Sequence, residues 1–105
     1  MLVQINTDNR VEGTETSTAA IEERVRERLS RFSDRLTRVE VHIRDLDGDR
    51  RGGQGIEAKL ESRPAGGQPI VVSDQAASID SAVAGVVRKA VDILDRSFSK
   101  QDAVR

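Results

Sequence analysis

The opening residues, MLVQINT, alternate: Leu2, Gln4 and Asn6 fall on one side and Val3, Ile5 and Thr7 on the other. That is the period of a half-buried strand. DNRVEGTE, which follows, is rich in turn formers and predicts a connection. Thr16, Ser17 or Thr18 then supplies a hydroxyl to cap a helix beginning near Ser17. Ile21, Val25, Leu29, Phe32 and Leu36 recur at spacings of four, four, three and four, one stripe of an amphipathic helix.

Alternation returns in RVEVHIRD, with Val39, Val41 and Ile43 against Glu40, His42 and Arg44, and again in GIEAKLESR, with Ile56, Ala58 and Leu60 against Glu57, Lys59 and Glu61. QPIVVSD is a short apolar strand whose Pro69 suits an edge or a strand entry. Asp74 is a good cap for a last helix running from about Gln75 to Phe98, which buries Ile79, Val83, Val86, Val87, Ala90, Leu94 and Phe98. The predicted order is β-α-β-β-β-α. Because the strands alternate, one sheet face is packed and the other is wet. The fold class that follows is α+β: a two-layer sandwich, a four-stranded mixed sheet with two helices on one face. Strands one and two should lie parallel across a right-handed crossover, and the others should form an antiparallel meander. No internal repeat or second domain is visible, so residues 1–105 form a single domain.

Composition narrows the function. A chain of 105 residues supports one shallow core. The only aromatics are Phe32 and Phe98, which leaves the core to Val, Ile, Leu and Ala and disfavours nucleic-acid modes that stack bases on aromatic platforms. With no cysteine there is no disulfide, thiolate nucleophile or cysteine metal site, a usage that fits a reducing cytoplasm. No apolar run approaches the ~20 residues of a membrane span, and the first residues show no secretion signal. A formal net charge of −1 gives no bulk attraction to nucleic acid, so any polyanion site must come from local sorting of charge.

Candidate chemistry is sparse. Counted from Asp45, DLDGDRRGGQGI places carboxylates as a calcium loop does, but Arg50 stands where Gly is needed and Ile56 where Glu is needed. Gly52, Gly53 and Gly55 join two strands and open no helix, so they make no phosphate loop. His42, the single histidine, lies on the outward side of a strand with no nucleophile at useful spacing. The sequence therefore predicts no enzyme, no cofactor, no metal site and no small-molecule substrate. Its arginines, in contrast, are sorted. On one continuous helix Arg24, Arg28, Arg31 and Arg35 would fall within about 60° of one another, beside the apolar stripe, while Glu23 and Glu27 lie further round. Glu27 can reach Arg31 at i+4. On the last helix Lys89, Arg96 and Lys100 share a row, and Arg88 projects from the outer side. Two helices side by side on one sheet can bring these rows to a common groove or ridge, where polyanion contact would be local, through phosphates.

The order of elements and several strings resemble the ribosome hibernation factors, the ribosome-associated inhibitor and hibernation-promoting factor group. The strings are Ala20-Ile21, Val25, Arg28-Leu29 and Arg31 in the first helix, FSDRLTRVEVHI from Phe32 to Ile43, and Asp74 followed by Ser78-Ile79-Asp80. The resemblance implies a βαβββα fold related to double-stranded RNA-binding domains. It further implies a cytoplasmic protein that binds the small ribosomal subunit in the mRNA and tRNA channel and halts translation by occlusion. Arg28 and Arg31 match basic family positions in the first helix and Arg88 one in the last. With Arg24, Lys89 and Arg96 from the basic rows, they form the expected rRNA-binding set. Gly85 and Asp92 stand where many members carry Lys, and the dimerisation domain of long-form members is not among these residues. The alternative expectation is a protein of the same fold that works through protein contacts, as a homodimer or with a regulatory partner.

Overall fold

The alternating runs pair into one sheet in a computed structural model of the chain, which describes residues 1–8, 17–46 and 55–103. The strands are β1 (Leu2–Thr7), β2 (Leu36–Asp45), β3 (Ile56–Pro64) and β4 (Ile70–Ala76), in the order β1-β2-β3-β4. β1 runs parallel to β2; β2 with β3 and β3 with β4 are antiparallel. The register sets the two faces. Val39, Val41 and Ile43 of β2 lie opposite Val3, Ile5 and Thr7 of β1 and opposite Ser62, Leu60 and Ala58 of β3. A slip of one residue would turn this whole set to water.

Helices α1 (Thr18–Arg28) and α2 (Ile79–Ala103) cover that inward face, giving the predicted two-layer α+β architecture. Val25, Leu29, Val39, Val41, Leu60, Val83, Val86 and Leu94 are fully buried in one cluster. Each such side chain stabilises the fold by about 1.5–3 kcal/mol relative to an exposed one. The opposite sheet face carries the charged alternates and faces solvent.

Boundaries differ from the sequence pattern in informative ways. Ser17 caps α1, its hydroxyl accepting from the Ala20 amide at 3.1 Å. The apolar stripe through Leu36 is not one helix, however. α1 stops at Arg28, a 3-10 turn spans Ser30–Phe32, and Leu36 already belongs to β2. The tighter turn rotates Phe32 inward, where its ring centroid lies 5.7 Å from that of Phe98. α2 also starts later than predicted. Gln75 and Ala76 remain in β4 because Glu57 and Ile56 continue the ladder opposite them. The helix is capped by Ser78, whose hydroxyl accepts from the Ser81 amide at 3.1 Å, and not by Asp74. Gly66 takes φ +72° in the turn between β3 and β4, a left-handed conformation that costs glycine little. The predicted turn-rich connection beyond Asp8, the candidate cap Thr16 and the glycine-rich loop before Gly55 lie outside the described residues.

Candidate nucleic-acid interface

The break after Arg28 redirects the arginine row. Arg24 on α1, Arg31 in the 3-10 turn and Arg35 in the turn behind it all reach across to α2. Arg24 Nη1 is 3.4 Å from Asp80 Oδ1, Arg31 Nη2 is 3.2 Å from Asp95 Oδ1, and Arg35 Nη1 is 3.2 Å from Asp102 Oδ2. The result is a ladder of ion pairs from the first turn of α2 to its last. Glu27 was the expected partner of Arg31, but the 3-10 turn breaks the i+4 relation and Asp95 takes its place. Two guanidinium groups also stack on the aromatic pair: Arg31 lies 4.7 Å from the Phe32 centroid and Arg35 4.0 Å from that of Phe98.

Arg28 and Arg88 sit between the rungs. Arg28 follows Arg24 by one helical turn. Arg88 precedes Asp95 by seven residues, about 20° off its row. Both are exposed, and among the described residues neither has a carboxylate partner. The ridge between the helices thus presents Arg24, Arg28, Arg31 and Arg88 along one side.

Lys89 and Arg96 are elsewhere. Lys89 lies nine residues from Asp80, about 180° round the helix, on the flank facing β4. Its ammonium donates to the Ser73 carbonyl at 2.8 Å and to Asp74 Oδ1 at 3.2 Å. Arg96 follows on the same flank and pairs with Asp92 at 3.0 Å. The two basic rows therefore do not meet in a common groove, because the body of α2 separates them. Asp74, read as a helix cap, is instead a strand carboxylate aimed at α2. A methyl group at Gly85 would overlap Asp74 Oδ2, so any larger residue at this helical position requires the Asp74 side chain to move.

The ladder pairs are weak holders. Their side chains are 39–58% exposed, and an exposed pair contributes only about 0.2–1 kcal/mol. A phosphate can displace an aspartate from the same N–H donors. His42 lies 3.6 Å from Glu40 on the open sheet face, away from the helices. Among the described residues no three His, Cys, Asp or Glu side chains are grouped to hold a metal ion, and no helix is long and apolar enough to cross a membrane.

Pattern reading missed Asp80, Asp95 and Asp102 as partners of the arginines. Part of the signal was available, since Asp95 and Asp102 share one side of α2 at a spacing of seven, but the rungs at Arg31 and Arg35 depend on the end of α1 at Arg28 and the turns that follow it.

The family model described as sigma 54 modulation protein / S30EA ribosomal protein matches residues 3–102. No curated protein matches the sequence. Among solved structures, the N-terminal domain of Protein Y from Thermus thermophilus is similar at TM-score 0.65 and 18% identity, over 91% of this chain and 98% of that one. A ribosomal subunit interface protein from Coxiella burnetii is similar at TM-score 0.63 and 16% identity, over 98% and 99%. At such identities these likenesses speak for the fold.

Proposed function

Since the chain belongs to the sigma 54 modulation protein / S30EA ribosomal protein family, we propose that it is a ribosome-associated, rRNA-binding protein of the cytoplasm. In this reading it lodges in the mRNA and tRNA channel of the small subunit and stops translation in hibernating ribosomes. The mechanism is occlusion, with no catalytic step. The observation that carries it is the ridge of Arg24, Arg28, Arg31 and Arg88 along the paired helices of a family fold. Arg28 and Arg88 meet phosphates directly, while Arg24 and Arg31 exchange an aspartate for a phosphate. Lys89 and Arg96 contribute at most through their charge.

Co-sedimentation with small ribosomal subunits tests this. Four phosphate contacts give a salt slope of about −3, so affinity should fall roughly 50- to 150-fold between about 50 and 200 mM salt. The Arg28→Glu, Arg88→Glu variant should bind more weakly at every salt concentration. Its stability should stay within about 0.5 kcal/mol, since both side chains are exposed and, among the described residues, have no ion-pair partner. Binding indifferent to salt and to both reversals would refute the phosphate reading. The alternative, action through protein contacts as a homodimer or with a regulatory partner, draws on the ladder itself, in which aspartates answer much of the positive charge. Absence of subunit binding at low salt would move that alternative ahead.

A further inference from the structure

Resting on the proposed function, we infer that Asp80, Asp95 and Asp102 are built-in competitors that hold down the affinity of the arginine ridge. Each aspartate occupies a place where a phosphate oxygen would meet a guanidinium. The distances, 3.4 Å at Arg24 and 3.2 Å at both Arg31 and Arg35, are those of ion pairs looser than a short charge-assisted hydrogen bond. A phosphate approaching Arg24 or Arg31 must either displace the carboxylate or sit beside it. Both routes cost binding free energy, the first by breaking a pair and the second by repulsion between like charges. Arg28 and Arg88, without such partners among the described residues, make the first contacts.

The aspartates of the ladder all stand on α2, and its arginines on α1 and the turns that follow it. Moving the chain onto RNA therefore replaces contacts between α1 and α2 by contacts from α1 and its following turn to the ligand. Exposed pairs of this kind hold their arginine by roughly 1.5- to 5-fold each. The ladder accordingly keeps binding weaker, and release easier, than the arginine count implies.

The test compares variants with equal charge. Asp80→Asn, Asp95→Asn, Asp102→Asn removes the competitors while retaining an oxygen acceptor at each position. Glu23→Gln, Glu27→Gln, Asp34→Asn adds the same charge at exposed positions that, among the described residues, have no ion-pair partner. Affinity for small ribosomal subunits is measured at about 150 mM salt, where the Debye length is about 8 Å and bulk charge counts least. Thermal melting confirms that each variant is folded. The ladder variant should bind roughly 2- to 25-fold more tightly than the charge control, the gain coming from the rungs at Arg24 and Arg31. Asp95→Asn alone, in mid-helix, should gain roughly 1.5- to 5-fold and serves if the triple variant is unstable. Equal affinity of ladder variant and control would overturn the inference while leaving the proposed function standing. Weaker binding by the ladder variant would also overturn it, by making the aspartates positioning groups for the arginines. Failure of the wild-type chain to bind subunits at low salt would remove the proposed function and this inference with it.

Discussion

Replacing Gly85 by alanine places a methyl group where Asp74 Oδ2 already sits, with Asp74 Cγ only 2.8 Å away. In a helix interior free of tertiary conflict, alanine is better than glycine by about 0.8–1 kcal/mol. Here it forces Asp74 out of its rotamer. The short side chain is 72% covered, being 28% exposed, and moving it breaks its contact with Lys89. Overpacking of this kind costs about 1–3 kcal/mol. The net expectation is a loss of up to about 2 kcal/mol, a fall in Tm of up to roughly 16 °C for a domain this size. The partner experiment fixes the cause. In an Asp74→Ala background the obstacle is gone, and Gly85→Ala should then stabilise by up to about 1 kcal/mol. The sign of one substitution thus reverses with the residue on the facing strand, giving a coupling of roughly 1–3 kcal/mol. Urea unfolding of the four proteins of the cycle measures it. A higher Tm for Gly85→Ala in the wild-type background, or effects that simply add, would refute the account of Asp74 and Gly85 as a matched pair.

Phe98→Ala should cost about 3–5 kcal/mol, since it empties the ring's place beside Phe32 and removes the surface on which Arg35 stacks; chemical denaturation reads the loss. Ser78→Ala should remove the cap of α2 and lower stability by about 1 kcal/mol, seen as a drop in Tm of roughly 4–8 °C. Lys89→Gln and Arg96→Gln should leave small-subunit affinity within about threefold at about 150 mM salt, because both side chains lie on the far flank of α2 and bulk charge is screened beyond about 8 Å. A loss as large as that of the Arg28→Glu, Arg88→Glu variant would show that the β4 flank also contacts RNA.

Much of this fold was legible because period and burial coincide. Val39, Val41 and Ile43 alternate in sequence and face the helices in space, and the seven apolar positions assigned to the last helix are all buried. The ends of elements were less legible, since they depend on partners distant in sequence. Leu36 continues the helical spacing of Leu29 and Phe32, yet it pairs with Pro64 in the sheet. Gln75 could begin a helix as well as end a strand, and the ladder with Glu57 decides for the strand. For the candidate site, single-helix arithmetic grouped the arginines but was blind to the end of α1 at Arg28 and to what stands opposite them. Lys89 and Arg88 are neighbours in sequence on different sides of α2, and only the position of β4 assigns Lys89 to a strut between strand and helix.

The same limit explains why net charge is a poor guide to what this surface can bind. The open sheet face also carries like charges in rows, with Arg38 opposite Arg63 and Glu40 opposite Glu61. Each row is neutralised along its own strand: Arg38 Nε lies 3.0 Å from Glu40 Oε2, and Arg63 Nη2 lies 3.0 Å from Glu61 Oε2. Pairing at such range leaves little field a Debye length from the surface, so association with a polyanion gains little from steering. Under the proposed function, recognition would then arise at contact. It would depend on whether a rigid array of phosphates matches the spacing of the helical ridge closely enough to take arginines from aspartates. A bulk-charge argument would dismiss RNA binding at a net charge of −1. The geometry replaces it with a comparison between two short-range contacts at the same guanidinium, in which the ligand needs only a modest advantage at each rung.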